Sequence, residues 1–370
     1  MSLFDARGLA VTAADAEALA RYEAAVASLV GQRADVAART ASALVHDPLL
    51  ASAYCLRAAA LVLTGTAAAH RPLAATLRVL DGLSTANERE RNHAAAARAW
   101  LEGDPALALQ RYAAIVAQYR RDIVALQVAH SLDFKLGHRE MLRDRVAEVL
   151  PHWDDSVPGF GYLLGMHAFG LEENGDYVRA ETTAREALRL TPDNAGAIHV
   201  ITHIMEMKGR AREGIEWLQA TRSVWAASAG FSTHLAWHSA LFHIDVDEIP
   251  QALAIYVDTI APRAAGSVAA LIDATALLWR LELRGAHVRG LWRGLAHQWA
   301  QTSLSGERAF TIVHALLAFA AAGVEHHAAR VAKLLRDDRL TRAANTAHDL
   351  ALAIPLAEGF RAYGRGDYGA

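Results

Sequence analysis

Residues 161–194 read GYLLGMHAFGLEENGDYVRAETTAREALRLTPDN, and this stretch decides the fold. Apolar residues recur at helical spacing on both sides of Gly175-Asp176-Tyr177, a tripeptide suited to a tight turn. Ala180 and Ala187 are small residues placed where two antiparallel helices would cross, and Pro192-Asp193 ends the second helix. The stretch is therefore a helix–turn–helix unit of 34 residues.

The same punctuation recurs along the chain. Gly209 follows Gly175 by 34 residues, Gly137 follows Gly103 by 34, and a turn at Asp247 leads into Pro250-Gln251-Ala252-Leu253-Ala254-Ile255-Tyr256. Amphipathic periodicity predicts a first helix after Thr12 and Asp15, which can cap it, running to about Val30. Further helices are expected near 35–46, 49–64, 68–82, 86–102, 105–119, 122–136, 139–150, 158–173, 176–190, 194–208 and 211–225. They continue near 232–245, 248–260, 266–284, 288–303, 307–322, 324–335 and 345–363, and no segment reads as a strand. A hairpin of this kind cannot bury its apolar face alone, so neighbours must stack. The expected fold is all-α: a solenoid of antiparallel helix pairs of the tetratricopeptide type, wound as a right-handed superhelix. It forms one domain over 1–370, with the best consensus at 90–262 and degenerate outer repeats at 1–89 and 263–370. Near the end, Phe360-Arg-Ala-Tyr363-Gly-Arg-Gly-Asp-Tyr368 resembles a first helix and turn without its second helix, which predicts an exposed apolar face.

Composition supports helices and narrows the function classes. The chain has 370 residues, 53% of them hydrophobic, and the excess is largely alanine, the best helix former. A net charge of −3 points to neither a nucleic-acid backbone nor an anionic membrane as partner. The single cysteine, Cys55, rules out an internal disulfide framework and suits a reducing compartment. The N-terminal residues lack a basic segment followed by an apolar run, and no stretch approaches the length of a membrane span. A soluble, cytoplasmic protein is expected.

Several blocks carry a resemblance. They are Asp5-Ala-Arg-Gly8, Ala125-Leu-Gln-Val-Ala-His130-Ser-Leu-Asp-Phe134 with Leu136-Gly137, Arg143-Asp144, Pro151-His-Trp153 and Phe169-Gly-Leu-Glu172. Two more lie in the middle: His199-Val-Ile-Thr-His203-Ile-Met-Glu206-Met-Lys-Gly209-Arg210 with Gly214 and Trp217-Leu218, and His234-Leu-Ala-Trp237-His238-Ser-Ala-Leu-Phe-His243 with Ala252–Tyr256. Together they resemble the tetratricopeptide repeat protein 38 family over essentially the whole chain. The resemblance implies the solenoid fold and brings no activity with it; at the C-terminal end the family continues for several more helices.

The chain holds eighteen histidines, and their positions matter more than their number. His199, His203 and Glu206 stand at i, i+4 and i+7, a single helix face. With Gly209 at the turn they occupy repeat positions five, nine and twelve, which line the concave groove of tetratricopeptide arrays. His234 and His238 make a second i, i+4 pair on the next first helix, with Trp237 between them as a candidate pocket wall, and His243 is less well aligned. His167, His130 and His314 are further candidates for the same groove.

Three readings follow. In the first, His199, His203, Glu206, His234 and His238 hold a divalent metal, zinc or iron, although no standard ligand signature is present. In the second, His203, Glu206 and His238 move protons on a bound small molecule. In the third, the histidines are buried and hydrogen-bonded to fix the packing of the array. No nucleophile elbow and no phosphate-binding glycine loop accompany them. A peptide groove would more often be lined with Asn, Lys and Arg. Trp225 and Trp292 fit helix packing, while Glu88-Arg-Glu-Arg91 and Arg139, Arg143, Asp144 and Arg145 read as solvated helix faces.

The expected function is binding of a small polar ligand in a groove lined by His199, His203, Glu206, His234 and His238, with enzymatic turnover left open. The alternative is an adaptor that holds a protein or peptide in the groove or on its C-terminal helices, where self-association would also occur.

Overall fold

A computed structural model describes residues 3–339, 341 and 345–369. Among these the chain is helical throughout, apart from one short antiparallel pair, β1 (Leu3–Phe4) and β2 (Ala10–Val11). Periodicity could not reveal strands two residues long. No described helix is long and apolar enough to cross a membrane.

The chain forms two compact units, the first from Met1–Gly209 with Ala220–Phe231, the second from Arg210–Gln219 with Ser232–Ala370. The first holds α1 (Ala16–Val30), α2 (Val36–His46), α3 (Ala51–Thr64), α4 (His70–Gly82), α5 (Glu88–Leu101) and α6 (Pro105–Gln118). It continues through α7 (Ile123–Leu136), α8 (Arg139–Val149), α9 (Phe160–Glu173), α10 (Tyr177–Leu190) and α11 (Ala195–Met207). Sequence neighbours pack as pairs, and α3 on α5 and α9 on α11 stack one pair on the next. Residues 220–231 belong to this unit, and there Ala229 donates its backbone N–H to the carbonyl of Gln32 at 3.0 Å.

Local chemistry explains the helix ends. Asp104, Asp122, Asp176 and Asn194 each accept a hydrogen bond from the backbone N–H three residues on, satisfying an otherwise orphaned donor of α6, α7, α10 and α11. Gly137 and Gly175 turn the chain at φ +78° and +81°, a conformation that side chains with a Cβ resist. Ala180, Ala184 and Ala187 are wholly buried where α10 crosses α9. At Gly170 a Cβ would lie 2.4 Å from the Leu142 carbonyl oxygen, so α8 and α9 touch backbone to backbone.

The second unit contains α12 (Ala211–Ala220) and α14 (Ser232–Asp245), the short α13 (Arg222–Trp225) belonging to the first. Then come α15 (Ile249–Ile255), α16 (Ala261–Ala264), α17 (Val268–Leu283), α18 (Arg289–Ala300), α19 (Ala309–Ala321), α20 (Glu325–Asp337) and α21 (Ala347–Gly364). The helix expected over 248–260 passes into a π-helical turn at Tyr256–Ile260 before Pro262, which has no N–H to continue the α-helical ladder. Asp247 takes the left-handed turn conformation that glycine supplies elsewhere, at φ +63°. Trp292, Trp299, Phe242 and Phe319 are fully buried, as Trp225 nearly is in the first unit. On α21, Leu352 and Leu356 stay exposed.

Three local readings are overturned. Asp15 alone caps α1, accepting from the Ala18 N–H; Thr12 instead donates its hydroxyl to Glu90 at 2.9 Å. Glu88-Arg-Glu-Arg91 is not a solvated face, because Arg89 and Glu90 are buried. Arg89 donates to Asp122 at 2.7 Å, His93 meets the same carboxylate at 2.9 Å, and Glu90 accepts from Ser52 and Thr12. Burial opposes the Asp122 charge, but His93 and Arg89 outweigh it and hold the carboxyl well below the usual carboxylate range. Arg145, finally, turns inward onto the fully buried Asp133 at 2.7 Å, whereas Arg143 and Asp144 pair on the surface as expected.

Candidate functional site

In the first unit, α11 presents His199 and His203 side by side, their ring centroids 4.1 Å apart. Their i, i+4 spacing places them on one face, as the helix period dictates. The Nδ1–H of His203 donates to Oε2 of Glu172, a buried carboxylate on α9, at 3.3 Å. Glu173 stands beside it: Glu172, Glu173 and His203 each offer one ligand atom within 4.8 Å of the others. Burial, and then the charge of Glu172, raise the Glu173 pKa, so this carboxyl holds its proton to higher pH than usual. An oriented imidazole beside a proton-holding acid is a pair able to exchange protons with a bound molecule.

Aromatic rings frame the pair. Phe231 lies 5.0 Å from His199, and Phe169 packs between α7 and α11, 5.9 Å from His130 and 6.4 Å from His203. His130 is buried on α7, and burial, reinforced by Arg145 and His167, pushes its pKa down to about 3. It is a neutral core group. His167 is also buried and its pKa is lowered, by burial first and then by Arg179 and Arg143. Glu206, part-buried near the end of α11, is not among the three groups gathered at His203.

In the second unit, α14 carries His234 and His238, and α17 carries Asp273. The Nδ1–H of His234 donates to Oδ1 of Asp273 at 3.1 Å, and the Nε2 atoms of His234 and His238 are 3.2 Å apart. An ionised carboxylate can only accept, which fixes the neutral His234 tautomer and leaves its Nε2 to accept from the His238 Nε2–H. The three groups form a hydrogen-bonded line along which a proton can shift. Trp237 stacks on His234 at 5.3 Å with an interplanar angle of 10°, and the Arg280 guanidinium sits 5.5 Å over the Trp237 ring. Trp237 is thus a partly exposed wall beside the histidines rather than a fully buried core residue.

His243 and His314 hydrogen-bond to other groups. His243 donates through Nδ1 to Glu248 at 2.7 Å, bridging the turn from α14 to α15. His314 on α19 donates through Nδ1 to the Phe310 carbonyl at 2.8 Å, one turn back on its own helix. Burial lowers its pKa; Asp273 opposes that change, and Arg280 adds to it.

The sequence pattern missed Glu172, Glu173 and Asp273. One signal for Glu172 was present: it precedes Glu206 by 34 residues, the same spacing as Gly175 and Gly209. Asp273 carries no such mark, since its partner is 39 residues away on another helix. No family model matches the chain.

Proposed function

We propose that this chain is a tetratricopeptide-type helical-repeat protein that binds a small polar ligand through histidines oriented by buried carboxylates. The repeat type, its right-handed superhelix and the resemblance to the tetratricopeptide repeat protein 38 family belong to the same reading, which rests on the 34-residue spacing of turns and groove-facing residues. One observation carries the ligand reading. In each unit a first-helix histidine, His203 or His234, gives its Nδ1–H to a carboxylate on a neighbouring helix, Glu172 or Asp273. That arrangement sets the tautomer and the orientation of the ring, as ligand-binding and proton-transferring histidines require.

The test is a thermal-shift screen with zinc, iron(II) and a panel of small carboxylic and phosphorylated metabolites. It compares the unaltered chain with His203→Gln and His234→Gln. Stabilisation by a compound that is lost in either variant, with helical circular dichroism unchanged, supports the reading. A response to zinc or iron alone that disappears in Glu172→Gln assigns a metal to the Glu172, Glu173 and His203 group. Equal responses from all variants across the panel refute both.

A further inference from the structure

Apart from the histidine pairs, the second unit contains a cleft of about 340 Å³ between α17, α19 and α21. Its walls are Trp279, Phe310, Leu317 and Leu356, with Arg280 as the cation and His314, which burial keeps from charging, beside it. A volume of this size is at the lower end of what small-molecule sites enclose. Phe310 and Leu356 are each at least half exposed, an unfavourable arrangement for two large apolar side chains on adjoining helices unless something covers them.

The charged groups lining the cleft are Arg280 and Asp349. Arg280 stacks over Trp237, donates to the Ala276 carbonyl of its own helix at 3.0 Å, and has no carboxylate within ion-pair distance among the described residues. The charges of Asp273 and of Arg280 both act on His314. Asp349, the acidic lining residue, is engaged elsewhere: its Oδ2 accepts from the backbone N–H and the hydroxyl of Thr346 in the capping box of α21. A cation beside an apolar hollow matches a molecule with a carboxylate at one end and a hydrocarbon or aromatic body at the other.

We propose that this cleft binds a small amphipathic monocarboxylate, its body between Trp279, Phe310, Leu317 and Leu356 and its carboxylate on Arg280. Arg280 also stacks over Trp237, beside His234, so the cleft adjoins that pair; the decanoate test alters neither His203 nor His234 and so fails or succeeds apart from the ligand reading above.

Decanoate, below its micelle-forming concentration, is the probe, with acetate and decan-1-ol as controls, followed by calorimetry and by tryptophan fluorescence against Trp279→Phe. The expected result is saturable binding of decanoate and none of acetate. Arg280→Gln weakens decanoate at least tenfold but leaves decan-1-ol unchanged. Val313→Trp fills the cleft and abolishes both; because it also strains the core, Leu356→Glu, at a half-exposed position, provides a second variant that repels the carboxylate without touching the interior. Three results overturn the proposal: no saturable binding at millimolar decanoate, equal binding in Arg280→Gln and Leu356→Glu, or a concentration-dependent dimer that decanoate does not dissociate. The last would assign the exposed face to a second copy of the chain.

Discussion

Nδ1 of His234 lies 3.1 Å from Oδ1 of Asp273, while Nε2 of the same ring lies 3.2 Å from Nε2 of His238. Both nitrogens of one imidazole are thereby committed, one to a negative charge and one to a second histidine. Replacing Asp273 by Asn removes the charge and keeps the shape. The expected outcome is a loss of the Nδ1–H tautomer of His234, read from the ring nitrogen chemical shifts. The stability cost should be small, about 1 kcal/mol for one exchanged hydrogen bond. An unchanged tautomer would show that His238, not Asp273, sets the ring.

The buried pair of Arg89 and Asp122 should behave unlike the surface pairs. Asp122→Ala strands Arg89 and His93 beside an empty space and removes the cap of α7, so a loss of about 3–5 kcal/mol is expected. Removing Arg39 from its exposed pair with Asp35 should cost no more than about 0.5 kcal/mol. Urea denaturation of the two variants distinguishes the cases. Similar losses would mean that the buried network contributes no more than a surface pair.

His130 links stability to acid. In the unfolded chain it binds a proton near pH 6.5, but burial keeps it neutral in the fold down to about pH 3. Above pH 6.5 neither state is protonated and the group has no effect. As pH falls below that, the unfolded state is favoured, by about 2 kcal/mol at pH 5. His130→Leu should flatten the decline in stability between pH 7 and pH 5 by that amount, measured by denaturation at both values. A decline of unaltered size would place the acid sensitivity on other groups.

Gly170 tests how closely α8 and α9 approach. A methyl group there would meet the Leu142 carbonyl oxygen at 2.4 Å and the Arg143 nitrogen at 2.5 Å, backbone atoms that cannot rotate away. Gly170→Ala should destabilise the chain by about 2 kcal/mol despite the better helix propensity of alanine. A neutral or stabilising effect, seen in thermal melting, would show that the helices can move apart at no cost.

The sequence by itself determined the features that depend on near neighbours along the chain. Helices arise from the recurrence of apolar residues over a few turns, and left-handed turns from glycine at 137 and 175, where a Cβ would clash with its own backbone. The His199–His203 and His234–His238 pairs were equally legible, because helix geometry alone places i and i+4 together. Glu88-Arg-Glu-Arg91 shows where such reasoning ends. Its charges look solvated by pattern, yet Arg89 and Glu90 are buried because Asp122, Ser52 and Thr12, up to 78 residues away, supply the partners that replace water. The carboxylates of the candidate site follow the same rule: Glu172 reaches His203, and Asp273 reaches His234, across helices. Which charge is buried, and which histidine it orients, depends on helix packing, since the cost of removing a charge from water is offset only by groups that the tertiary fold brings within hydrogen-bonding distance.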